Sequence, residues 1–139
     1  MQLSRLFRRA RSQSARIAGE VHPDLDASGY ALLRVLYSLD PSGAGVRAVD
    51  LGAALALHKS TTSRAVADLE QLGLLARVPD PHDARARLIT LTGEGRSALE
   101  RSQQGRRNAM AAALAPWTVT ELRELAALLS RFNDLDGEA

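Results

Sequence analysis

Between Lys59 and Arg64 the chain groups two cations with the hydroxyls of Ser60, Thr61 and Ser63. Short hydroxyl side chains let a backbone approach a polar surface, and Lys and Arg supply donors to phosphate oxygens or, for Arg, paired bonds to a guanine edge. That is the chemistry of a helix start lying in the major groove of DNA, and it leaves open whether Arg64 meets a base or a phosphate. A second cluster lies in the run Pro79-Asp80-Pro81-His82-Asp83-Ala84-Arg85-Ala86. Arg85 on a stiff projection could enter a narrow minor groove, where the potential is most negative. Asp83, two residues earlier, is spaced to accept a hydrogen bond from Arg85 and hold its guanidinium. Read plainly, the same residues are a helix cap, a solvated cation and a loop of mixed charge.

Other chemistries are excluded or unsupported. Cysteine is absent, which removes disulfides, thiol catalysis, cysteine zinc sites and thiol redox sensing. His22, His58 and His82 fall on separate elements without ligand spacing, so no metal and no cofactor are expected. No glycine-rich phosphate loop, nucleophile elbow or paired carboxylates can be found, so an enzyme is not expected.

The elements that must carry these clusters follow from period. Leu3, Leu6, Phe7, Ala10, Ile17 and Val21 share one face of a first helix, Leu3–Val21, closed by Pro23. A second helix runs Ser28–Leu39, burying Leu32, Leu33, Leu36 and Leu39, and Asp40-Pro41-Ser42-Gly43 is a turn. Ala48–Leu55 and Ser60–Leu72 are two short helices with a tight connection, a helix-turn-helix candidate. In the second of them Thr62, Ala65, Val66, Leu69 and Leu72 face inward, and Gly73 suits a helix end that needs positive φ. Leu74–Val78 and Arg87–Leu91 then read as two strands joined by the eight-residue polar loop 79–86, the hairpin of a winged variant. A long helix follows from Thr92-Gly93-Glu94-Gly95 to about Ala115, with Gly105 predicting a kink or a close contact. The last helix opens on a capping box, Thr118 with Glu121, flanked by the staple pair Trp117 and Leu122. Its apolar face is Leu122, Leu125, Leu128, Leu129 and Phe132, and Asp134-Leu135-Asp136-Gly137 ends it. The fold class is mainly α with a small β-hairpin wing (α+β).

With 139 residues, 45% hydrophobic and 24% charged, the chain has the balance of one globular domain, 1–139. No apolar run approaches the ~20 residues of a membrane span, and no secretory signal is evident; a cytoplasmic protein with no membrane partner is expected. The basic N-terminus has some transit-peptide character, but apolar residues at helical spacing favour a native helix. The net charge of +2 conceals a polarity: residues 1–20 carry five Arg against one Glu, and 117–139 carry two Arg against five acids. Apolar faces at both ends lie outside the winged module 28–91, and such faces mark association. The helices 1–21 and 92–135 are therefore expected to form a two-fold homodimer, the complementary end charges being a secondary aid.

The runs Ser60-Thr61-Thr62-Ser63-Arg64, Leu69-Glu70-x-x-Gly73-Leu74-Leu75 and Asp80-Pro81-x-Asp83-x-Arg85-Ala86-x-Leu88-Ile89-x-Leu91-Thr92-x-x-Gly95 resemble the MarR family of winged-helix transcriptional regulators. The resemblance extends over nearly the whole chain through helix order. It implies a triangular homodimer on a pseudo-palindromic double-stranded operator, usually as a repressor. By that pattern Ser60, Thr61, Ser63 and Arg64 fall in the recognition helix, and Asp83 and Arg85 match the wing-tip pair. Ala84 departs from the pattern where a second basic residue is common, Asp68 where Arg is common, and His58 where a short capping side chain is usual. The resemblance also implies release by a small aromatic or anionic effector, for which His22, Tyr30, Tyr37 and Trp117 are candidates with Arg16 as anion partner. Each has a plainer reading, the tyrosines as core and Trp117 as staple. The rival to DNA binding is a winged-helix protein-interaction module in which Arg64 and Arg85 meet an acidic protein surface.

Overall fold

A computed structural model describes residues 1–134, apart from the side chain of Arg11. The chain divides into two compact units, residues 1–104 and residue 105 onward.

In the first unit, α1 (Gln2–Val21) buries only its C-terminal end, through Ile17, Ala18 and Val21, and packs there on α2 (Ala27–Leu39). Leu3, Leu6 and Phe7, on its first two turns, stay more than half exposed. His22 ends α1 in an extended conformation, as the ring of Pro23 requires of the residue before it. Asp26 caps α2: Gly29 N–H donates to its Oδ1 at 2.7 Å and the Ser28 hydroxyl at 2.8 Å. Leu32, Leu33 and Leu36 form the buried stripe, each contributing ~1.5–3 kcal/mol by leaving water. Leu39, expected to extend that stripe, is 43% exposed. The inward direction one turn beyond Leu36 belongs instead to Asp40, which is 3% exposed. Its Oδ2 accepts from Gly45 N–H and from the Thr90 hydroxyl, both at 3.0 Å.

The helix-turn-helix consists of α3 (Ala48–Ala54) and α4 (Lys59–Gln71). Gly52 lets the two approach: a Cβ there would stand 2.9 Å from the Thr62 Oγ1. Thr62, Val66 and Leu69 are buried as their period requires, with Ala65 and Leu72 partly so. The end of α4 is a Schellman turn in which Leu74 N–H donates to Leu69 C=O and Gly73 N–H to Glu70 C=O. Gly73 adopts φ 72°.

The sheet holds β1 (Val46–Arg47), β2 (Leu75–Asp80) and β3 (Asp83–Leu91) in the order β1-β3-β2, all antiparallel. β1 was not foreseen, because two residues carry no alternation. The expected eight-residue loop is also different. The strands continue to Asp80 and Asp83 and leave Pro81-His82 as the turn. Pro79 stands opposite Arg87 and Asp80 opposite Asp83, so Ala84, Arg85 and Ala86 have no counterparts on β2 and bulge. Exposed tip residues pack on nothing, so no apolar period marks them as strand.

α5 (Gly93–Leu114) starts at Thr92, whose Oγ1 accepts from Gly95 N–H at 2.9 Å. Ala98 and Leu99 complete the core. In the second unit, α6 (Val119–Asp134) has the expected capping box: Glu121 N–H donates to Thr118 Oγ1, and Thr118 N–H returns a bond to Glu121 Oε2 at 2.7 Å. No residue of α6 is buried; Leu128 and Phe132 are 60% and 45% exposed. Leu135 to Gly137, expected to end this helix, lie outside the described residues. α5 continues as helix through Gly105, where an added Cβ meets nothing within 4 Å among the described residues, so of the two alternatives expected there the close contact is not seen.

Two glycines of one helix should respond oppositely. A Cβ on Gly95 would collide with the Leu74 carbonyl; Gly95→Ala should lose ~1–3 kcal/mol in thermal or urea unfolding. Gly105→Ala should gain up to ~1 kcal/mol. A tolerated Gly95→Ala would contradict the packing at this junction.

Candidate nucleic-acid interface

The burial of Thr62 against Gly52 fixes the roll of α4. It turns Lys59, Ser60, Thr61, Ser63 and Arg64 outward, and all five are exposed. Among the described residues none of these side chains makes a hydrogen bond or ion pair, and Arg64 does not pair with Asp68 one turn on. The Thr62 hydroxyl is satisfied internally, donating to His58 C=O at 3.2 Å. His58 precedes the helix without capping it through its side chain, so the positive end of α4 is left open to an anion.

The wing is set against α4 by one junction. Thr92 N–H donates to Leu74 C=O at 3.1 Å and the Thr92 hydroxyl to Gly73 C=O at 2.7 Å. The end of α4, the start of β2, the end of β3 and the start of α5 therefore meet within a few residues. Outside it, Arg77 of β2 pairs with Glu70 of α4 at 3.1 Å.

At the tip Arg85 is exposed. Asp83 does accept a hydrogen bond from Arg85, but from its backbone N–H at 3.0 Å, not from the guanidinium as expected. Two-residue spacing suits this local turn, in which a carboxylate replaces a backbone acceptor, and it shapes the bulge that carries Arg85. The guanidinium itself has no intramolecular partner among the described residues.

Sequence reasoning missed Asp80 and Arg47. Asp80 is buried; its Oδ1 accepts from His82 N–H and its Oδ2 from Arg47 Nη2, both at 2.9 Å. The His82 amide, with Arg47 adding to it, holds the Asp80 carboxyl below the ordinary range despite the opposing effect of burial. Asp80 lay within the motif quoted above, but nothing in the order of residues links it to an arginine 33 positions earlier.

The five effector candidates are placed as follows. Arg16 pairs with Glu20 at 2.7 Å, and His22 Nδ1 accepts from Asp24 N–H at 3.1 Å. Tyr30 is buried in the core. The Tyr37 hydroxyl donates to Glu100 at 3.1 Å, and the Arg96 guanidinium lies 5.1 Å from its ring centre. Trp117, in the second unit, is 44% exposed.

Two short helices, the second with an exposed polar start, followed by a three-stranded sheet with a projecting hairpin, define a winged helix-turn-helix protein. A model of the MarR family matches residues 25–86. The sequence is 36% identical over 110 residues to YxaD of Bacillus subtilis (strain 168), described as an uncharacterized HTH-type transcriptional regulator; this spans 79% of this chain and 74% of YxaD. RV1404 from Mycobacterium tuberculosis superposes with a TM-score of 0.81 at 26% identity, over 99% of this chain and 91% of that one. A mutant MarR from E. coli complexed with operator DNA shares the fold, with a TM-score of 0.61 at 23% identity over 95% and 94% of the two chains. The chain belongs to the MarR family of transcriptional regulators.

Asp80 carries a pH consequence. A carboxyl depressed by folding adds stability above its unfolded pKa, about 3.9 for Asp, and loses it as pH falls through the folded value. Asp26 is depressed too, by the Gly29 amide and then the Ser28 hydroxyl. Melting temperature should therefore fall once pH drops below ~4. Asp80→Asn should flatten that fall; an unchanged acid slope would show that Asp80 contributes nothing to it.

Proposed function

We propose that this chain is a homodimeric, sequence-specific repressor of a pseudo-palindromic operator, acting by binding and not by catalysis. α4 lies in the major groove, where Ser60, Thr61 and Ser63 face the bases, Arg64 meets a base edge or a phosphate, and Lys59 a phosphate. Arg85 enters the adjacent minor groove, with Asp83 shaping the bulge that presents it. One observation carries the reading: on α4, polar side chains without a partner among the described residues, and on the wing tip the exposed Arg85 guanidinium, sit on elements joined by the Thr92 junction. A fold shared with a MarR solved on operator DNA supports the same mode. Two copies would place their recognition helices one helical turn apart, ~34–36 Å.

Dimerisation through the terminal helices, 1–21 and 92–135, is supported within each unit separately. Leu3, Leu6 and Phe7 are exposed on α1, and Leu128, Leu129 and Phe132 on α6. An amphipathic helix that leaves Leu128, Leu129 and Phe132 of its apolar face exposed in its own chain calls for another surface to cover them. Release by a small aromatic or anionic effector belongs to the same reading. Arg16, His22, Tyr30, Tyr37 and Trp117 remain its candidates, with Arg16 exchanging Glu20 for the anion.

Titration against DNA from upstream of its own gene, by anisotropy at two salt concentrations, tests the DNA reading. Affinity should fall steeply with salt, and Arg85→Ala should weaken it by roughly 5- to 150-fold without unfolding the chain. Salt-independent binding, or an unaffected Arg85→Ala variant, would contradict it.

Because Ile17, Ala18 and Val21 belong to the core, deleting α1 would damage the fold as well as any interface. Phe7→Glu and Leu129→Glu are the cleaner tests. Each should shift sedimentation toward monomer with the helical signal unchanged, and a wild-type chain already monomeric at micromolar concentration would remove the dimer.

A further inference from the structure

The wing carries two tip carboxylates of different character. Asp83 is exposed, whereas the Asp80 side chain is only 4% exposed and is paired at 2.9 Å with Arg47, itself 52% exposed. Arg47 is the last residue of β1 and the residue from which α3 starts. One guanidinium thus ties the turn of the hairpin to the first helix of the helix-turn-helix.

Among the described residues, regular backbone pairing stops short of this tie. Pairing of β1 with β3 stops at Arg47 opposite Leu88, and the β2–β3 register breaks between Pro79 and Asp80. The Arg77–Glu70 pair acts lower on the hairpin, from the middle of β2 to α4. Asp80 also accepts from His82 N–H, so the same carboxylate closes the turn and anchors it. An ion pair with one partner buried and the other half exposed adds little net stability, and the attested use of such pairs is to fix one geometry among several.

We infer that Asp80 and Arg47 are positioning residues for operator binding: paired, they hold the hairpin turn against α3 so that Arg85 reaches DNA at a fixed offset from α4. The inference rests on the DNA-binding reading above and adds to it two residues that need not touch DNA.

A double-mutant cycle in the full-length protein tests it, read by anisotropy on the same upstream DNA. Asp80→Asn keeps an oxygen for the His82 amide and removes the charge facing Arg47. It should weaken binding roughly tenfold in the wild-type background, yet less than twofold in an Arg85→Ala background, because coupled sites are non-additive. Hydroxyl-radical protection of the minor groove at the footprint edges should fade while major-groove protection persists. Arg47→Gln should reproduce this, and serves if Asp80→Asn fails to fold; Arg47→Lys, which keeps the cation, should restore most of the affinity. Equal losses in both backgrounds, or no loss for Asp80→Asn and Arg47→Gln while Arg85→Ala still weakens binding, would overturn this inference alone. A folded Arg85→Ala variant with unchanged affinity would overturn it together with the wing contact.

Discussion

The geometry of the first unit depends on how closely α5 can approach the chain leaving α4. Thr92 makes two bonds there, from its amide to Leu74 C=O and from its hydroxyl to Gly73 C=O, and caps α5 through Gly95 N–H. Only glycine at 95 leaves room for the Leu74 carbonyl, and only a residue at ease with positive φ at 73 lets the chain reverse there. Gly73, Leu74, Thr92 and Gly95 are thus a single device spread over two segments of sequence. It anchors the base of the hairpin to the end of α4 through main-chain acceptors at Gly73 and Leu74, while the hairpin turn is tied separately by Arg47 and Asp80.

A second level of order comes from buried carboxylates. Asp40 gathers Gly45 and Thr90, and its carbonyl accepts from Arg96 of α5 at 3.1 Å. Asp80 gathers His82 and Arg47. Both bracket β1, a strand of two residues that could not hold its place by ladder bonds alone. Each buried charge has at least two partners, as its desolvation requires.

What was legible in the sequence follows from which interactions are local. The roll of α4 could be read because Thr62, Val66 and Leu69 bury at the same period at which Ser60, Thr61, Ser63 and Arg64 escape. The Gly73 turn and the Thr118–Glu121 box are likewise decided within six residues. Contacts between distant segments were not legible. Leu39 looked like stripe because nothing nearby announced that Asp40 would take the inward place and be satisfied by Thr90. β1 is too short to show alternation, and the bulge at Ala84–Ala86 lies where neither face is buried. Asp83 illustrates the boundary: the two-residue spacing does join it to Arg85, but the donor is the Arg85 amide, which a local turn brings to the carboxylate, and not the guanidinium at the end of a long side chain.

The electrostatics of the wing explain why such bracing matters. From Pro79 to Arg87 the hairpin carries Asp80 and Asp83 against Arg85 and Arg87, so its formal charge cancels. A tip without net positive charge gains little from long-range attraction to phosphate, which a Debye length of ~8 Å would in any case attenuate at physiological salt. In the proposed mode, whatever Arg85 contributes must come from short range, where distance and direction decide the energy. Asp80 takes its negative charge out of solvent and spends it on Arg47, and Asp83 turns toward a backbone amide. Both acids of the wing are thus engaged inside it, Asp80 with Arg47 and Asp83 with the Arg85 amide, so that neither faces outward without a partner.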